Sequence, residues 1–168
     1  MRSGDPNTEH VHSRNGLRVG TCSWTDKTMI KAWYPREMNT SEARLRYYAS
    51  HFPTVEVDSS FYALPSERNS HLWVERTPPG FIFHFKAFGM MTRHGIRPQQ
   101  LPRSLREEHD FQLDRYCRVV QPSQRVREKI FSYFQEALDP VRSAGRLGVI
   151  LLQFPPPTSP PMSRTAAT

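Results

Sequence analysis

Phe81-Ile-Phe-His-Phe-Lys-Ala87 places phenylalanine at every second position, with Ile82, His84 and Lys86 between. A period of two belongs to a strand, here with three phenylalanines on one side and a more polar set on the other. Upstream, Thr54-Val-Glu-Val-Asp58 repeats the pattern, setting Val55 and Val57 against Glu56 and Asp58. Leu17-Arg-Val-Gly-Thr-Cys-Ser-Trp24 reads as a short strand before it, and Leu147-Gly-Val-Ile-Leu-Leu-Gln-Phe154 as a fourth. Helical periods separate them. Ser41 to His51 carries Leu45, Tyr48, Ala49 and Phe52 on one face, with Thr40 or Ser41 as cap. A helix from Ser66 is closed by Thr77-Pro-Pro-Gly80, and a longer one from Pro122 to Ser143 lines up Val126, Ile130, Phe134, Leu138 and Val141. Strands joined through helices run parallel, so the class is α/β. Period alone does not separate an open sheet from a barrel. Two connections stay unassigned: Thr25 to Thr40, and Phe88 to Gln121, which shows no sustained periodicity and is expected to be functional or disordered.

With 168 residues the chain is one domain's worth, long enough to bury a core. Its longest apolar stretch, Leu147 to Leu152, is strand-sized, so no membrane partner is expected. Met1 to Asn15 is polar and lacks the apolar centre of a secretion signal, which makes a cytoplasmic address the expectation. Cys22 and Cys117 have no metal-ligand spacing, against a disulfide framework or zinc ribbon. The net charge is +7, carried mostly by arginine. Overall charge says little about a binding groove. Locally, however, residues 92–127 hold eight arginines against four carboxylates.

Several segments occur together in order: Val19-Gly-Thr-Cys-Ser-Trp24, Trp33-Tyr-Pro35, Leu45-Arg-Tyr-Tyr-Ala49, Val55-Glu-Val-Asp-Ser-Ser-Phe-Tyr62 and Trp73-Val-Glu-Arg-Thr-Pro-Pro-Gly-Phe81. Phe83-His-Phe-Lys-Ala87, Thr92-Arg-His94 and Leu151-Leu-Gln-Phe-Pro-Pro156 complete the series. The chain thereby resembles the YecE-like family, domain of unknown function 72, over about Leu17 to Pro156. That resemblance implies a TIM-barrel-like (β/α)8 fold of which only the first half, about four parallel strands with their helices, is present. Barrels of this type need at least ~200 residues. The expected division is residues 1–16 as a disordered N-terminus, 17–156 as a partial barrel and 157–168 as a disordered tail rich in Pro, Ser and Thr. A truncation or frameshift after Pro156 is the expected origin of that tail. Unpaired strand edges then favour aggregation or self-association.

In such a barrel the site lies at the C-terminal ends of the strands. Apolar residues should face the helices, so Glu56, Asp58, His84 and Lys86 point into the mouth. Inward charges are unfavourable unless paired or used. Glu56 and Asp58 suit a general base, metal ligands or partners of Lys86; the alternative is a buried Glu56–Lys86 ion pair joining adjacent strands. Lys86 as a Schiff-base nucleophile is a further option. Glu56, His84 and His94 are the candidate metal ligands, although His84 also reads as a satisfied interior histidine. Thr92, Arg93 and His94 can bind a phosphate or carboxylate, or merely stabilise their loop. Trp24, Tyr62 and Gln153 end strands or open loops and are candidate pocket-lining residues. No phosphate-binding glycine loop, nucleophile elbow or His-Glu-x-x-His zinc motif occurs, and no cofactor follows from the sequence.

Three functional readings follow. The first is a metal-assisted phosphoester or nucleic-acid-processing enzyme, with further ligands expected from strands five to eight. The second is a non-catalytic nucleic-acid-binding barrel using Arg93, Arg97, Arg103 and Arg106, which requires affinity that falls with salt. The third is that this particular chain is an inactive partial product.

Overall fold

The computed structural model describes residues 16–156. Both segments expected to be disordered therefore lie outside the described residues, apart from Gly16. A three-stranded parallel sheet runs in the order β1 (Thr54–Val57), β2 (Ile82–Lys86), β5 (Leu147–Leu151). Alternation decides its two faces. Val55, Val57, Phe83 and Phe85 are all about 1 % exposed or less, while Glu56, Ile82, His84 and Lys86 are half-buried on the other side.

Helices cover the phenylalanine face. α2 (Ser41–Ala49) starts at Thr40, whose hydroxyl accepts from the Ala43 N–H, and buries Leu45, Tyr48 and Ala49 as its spacing requires. α3 (Glu67–Glu75) is capped by Ser66 and lays Trp73 against Phe83 and Phe85, with ring centroids 6.2 and 5.9 Å apart. α5 (Gln124–Ser143) buries the whole expected stripe, Val126, Ile130, Phe134, Leu138 and Val141. Gly145, at φ 68°, stops it: its N–H bonds to the Arg142 carbonyl and the Arg146 N–H to Val141. The Arg146 guanidinium then reaches the Val74 and Thr77 carbonyls at 2.5 and 2.9 Å, fastening the entry of β5 to the end of α3.

Three expectations change. The strand from Leu17 to Trp24 reduces to a parallel bridge between Cys22 and Glu56, with Leu17 and Val19 exposed. Its pairing is short because Ser23 turns at φ 73°, but it is well held. Ser23 donates to the Glu56 carbonyl at 2.8 Å and Glu56 to Thr21 at 3.0 Å. The Tyr48 hydroxyl accepts from the Thr21 N–H and donates to the Thr54 carbonyl.

Second, the connection from Thr25 holds α1 (Lys27–Ala32), six residues with no buried side chain and so no stripe to read. Asp26 caps it through the Thr28 and Met29 N–H groups. The Thr28 hydroxyl, then those amides, hold the Asp26 carboxyl below its ordinary range.

Third, the aperiodic excursion is ordered. It contains α4 (Arg103–Glu108) and an antiparallel hairpin, β3 (Phe111–Leu113) with β4 (Val119–Pro122). These strands are too short to display a period. Their turn uses Asp114, whose carboxylate accepts from the Tyr116 and Arg118 amides, with Cys117 in the left-handed region. Ile96 pairs with Val119 and joins the hairpin to the loop after β2.

At the far edge, Val149 and Leu151 of β5, and Leu152 and Phe154 just after it, are exposed. No helix among the described residues is long and apolar enough to cross a membrane.

Candidate functional site

The polar sheet face is assembled by register. Cys22 bridges to Glu56, Glu56 lies opposite His84, and Lys86 opposite Leu151. Cys22 was not singled out by the sequence. Placing it needs the bridge to β1, although its position two residues before Trp24, in a short apolar run, marks it as a strand residue. Cys22 is exposed at the surface, yet its partial desolvation raises the thiol, and the Glu56 carboxylate adds to this by charge and by hydrogen bonding. Asp58 acts in the same sense and Lys86 opposes it. Four ionisable side chains therefore share one neighbourhood.

The expected Glu56–Lys86 ion pair does not form. Neither Glu56 nor Asp58 has a cationic side chain within 4.0 Å among the described residues. Lys86 instead places its ammonium 4.8 Å from the centre of the Phe61 ring. Both carboxylates are thus left available to a ligand.

His84 is fixed more tightly than its sequence context suggests. Its Nδ1 accepts from the Val149 N–H at 2.9 Å, so the neutral ring carries its proton on Nε2 and presents a donor. Gly148 makes this contact feasible, since a Cβ there would lie 2.5 Å from that nitrogen. With Nδ1 occupied, metal binding by His84 is confined to Nε2. Among the described residues no three His, Cys, Asp or Glu side chains converge to hold a metal ion.

Phe61 links this face to the next loop. His94 stands edge-on to the same ring at 4.9 Å, and its Nδ1 is 2.9 Å from the Thr92 hydroxyl. Thr92 is fully buried and also donates to the Gly89 carbonyl, so it braces the loop and does not reach a ligand. Arg93 is exposed, at φ 65°. Tyr62 is exposed beside Phe61, its carbonyl accepting from Gln100 at 2.6 Å, and Gln153 is exposed beyond β5. Trp24 packs into the core. It is 9 % exposed, stands edge-on to Trp73 and receives the Tyr34 hydroxyl at its carbonyl, which makes it part of the core. Of the arginines expected to bind nucleic acid, Arg103 is paired with Glu107 at 2.7 Å, whereas Arg93, Arg97 and Arg106 have no carboxylate within 4.0 Å among the described residues.

Comparison with known proteins bears on the whole arrangement. The profile of the family described as "Protein of unknown function DUF72" matches residues 18–166. The UPF0759 protein YunF of Bacillus subtilis is 33% identical over 140 residues, which is 83% of this chain and 40% of that protein. A crystal structure of a DUF72 family protein, EF0366, from Enterococcus faecalis superposes with a TM-score of 0.52 at 23% identity. The match covers 82% of this chain and 39% of that one. This chain thus spans about two fifths of the length of the relatives it matches.

Proposed function

The chain belongs to the DUF72 family of proteins of unknown function, and from that premise we propose that residues 17–156 supply the first half of a TIM-barrel-like (β/α)8 mouth that processes a phosphate-bearing substrate. The supporting observation is that Cys22, Glu56 and Lys86 share the sheet face opposite the helices, with Asp58 in the helical turn just past the end of β1. In this reading Glu56, free of a cationic partner, is the general base. Lys86 and the His84 Nε2–H stabilise anionic oxygens, and Asp58 is a second carboxylate for a proton or a cation. A metal-assisted form uses Glu56 together with ligands from beyond this group. The chain spans two fifths of its relatives' length, and in this reading residues 17–156 contribute part of the mouth. Its exposed β5 edge favours self-association.

The test compares YunF with this chain on bis(p-nitrophenyl) phosphate, with and without added Mg²⁺ or Mn²⁺. YunF is expected to hydrolyse it and this chain not to. Hydrolysis by this chain that survives Glu56→Gln with less than a roughly 10²-fold loss, or no hydrolysis by YunF under either condition, contradicts the reading. A non-catalytic nucleic-acid-binding barrel is the second reading, supported by the unpaired Arg93, Arg97 and Arg106. It requires oligonucleotide affinity that falls steeply with salt.

A further inference from the structure

A pocket of about 580 Å³ opens between the loop after β2, strand β4 and α5. Small-molecule sites are typically about 300–1,000 Å³. Its polar lining consists of Arg93, His94, Gln121 and Arg127, and no acidic side chain lines it. Met91 and Phe131 are among its apolar walls, and Phe131 is 41 % exposed although it sits on a long helix.

Several arginines of this stretch are paired, but those at the pocket, like Arg97 and Arg106 outside it, are not. Arg103, Arg118, Arg125 and Arg142 each have a carboxylate within 4.0 Å. Arg93 and Arg127 have none among the described residues, and their side chains make no hydrogen bond there. They come from separate elements, one from a tight turn and one from the first turns of α5, and meet at one cavity. The Thr92 hydroxyl, which donates to the Gly89 carbonyl, accepts from the His94 Nδ1–H, so the neutral ring keeps only an acceptor on Nε2 and anion binding falls to the two arginines. Two unpaired guanidiniums beside a thioether and an aromatic ring suit an anion joined to a flat apolar body.

We propose that this pocket binds a small phosphomonoester carrying an aromatic or heterocyclic group, with Arg93 and Arg127 on the phosphate and Met91 and Phe131 against the ring. The proposal names a substrate class for the mouth described above and rests on that reading for its relevance to catalysis. It shares no residue with the Cys22, Glu56, Asp58, His84 and Lys86 group, so the two fail separately.

Calorimetric titration of this chain with AMP, adenosine and inorganic phosphate tests it. AMP is expected to bind roughly tenfold or more tightly than adenosine, as charge-assisted hydrogen bonds to the phosphate require. Arg93→Gly suits the left-handed backbone at that position. It and Arg127→Gln should each weaken AMP by roughly tenfold with an unchanged unfolding transition. Glu56→Gln should leave AMP binding intact. Equal affinity for AMP and adenosine, or AMP binding indifferent to both arginine variants, overturns the proposal. So does affinity for single-stranded oligonucleotides with none for AMP, which would assign these arginines to a nucleic-acid surface. AMP binding that is retained while the hydrolysis test fails removes the sheet-face reading alone.

Discussion

Phe83→Ala is expected to remove about 3–5 kcal/mol of folding stability, a large part of the roughly 5–15 kcal/mol available to a domain. Phe83 is fully buried, and its ring meets Trp73, Phe81 and Phe85 at 6.2, 4.9 and 6.3 Å. Among the described residues it lies in the layer where helix and sheet exclude water from both sides, while the opposite sheet face is half-exposed. Truncation removes the ring and leaves a cavity that rigid neighbours cannot fill. The effect reaches the site through the backbone: His84 follows directly, and Phe83 takes its ladder bond from the Arg146 carbonyl at 2.9 Å. Urea unfolding followed by tryptophan fluorescence reads the change, since Trp73 reports on this layer. A loss below about 1 kcal/mol would mean that the phenylalanines do not form the packed face; values that small belong to surface substitutions.

Gly20→Ala should detach the N-terminal segment from the sheet. A Cβ at Gly20 would lie 2.1 Å from the Thr54 carbonyl oxygen, a backbone atom that cannot move aside without disturbing β1. The strain has to be relieved by Gly20 and its neighbours. Withdrawal breaks the Ser23–Glu56 and Glu56–Thr21 bonds and the Tyr48 hydroxyl's contact with the Thr21 N–H. Overpacking of this kind destabilises by about 1–3 kcal/mol. The local consequence is larger, because Cys22 loses its place beside Glu56. Hydrogen exchange should show the Ser23 and Glu56 amides exchanging much faster while amides within α5 change little. Unaltered protection of both amides would show that the segment does not depend on this close approach.

The parts of the fold carried by long, regular patterns were legible in the sequence. Alternation in Phe81–Ala87 gave the correct inner and outer faces of β2, and the stripe from Val126 to Val141 gave the buried face of α5. The hairpin was not legible because its three- and four-residue strands are joined by Asp114-Arg-Tyr-Cys-Arg118, which contains no Gly or Asn to announce the turn. α1 was missed for a related reason: with no buried side chain it has no stripe. At the site, side-chain identity did not reveal the pairing. Glu56 and Lys86 have opposite charges on adjacent strands, yet Phe61 draws the lysine away. The packing of Trp24 against Trp73 was not legible either, because ending a strand does not decide which side an aromatic ring takes. Cys22 reaches the polar face through a single bridge, and a pairing across 34 positions of sequence leaves no local trace. The pocket beside Arg93 depends likewise on Arg127 arriving from a distant helix.

Titration of the Cys22 thiol tests most directly whether one face of the sheet gathers these groups. The chain carrying Cys117→Ser has a single thiol, and thiolate ultraviolet absorbance follows its ionisation. Its midpoint should lie above the ordinary thiol range, since partial desolvation of this exposed thiol and the Glu56 carboxylate both favour the protonated form. Glu56→Gln and Asp58→Asn should each bring the midpoint down, and Lys86→Met should raise it further. A midpoint in the ordinary range, indifferent to all three substitutions, would contradict a shared site.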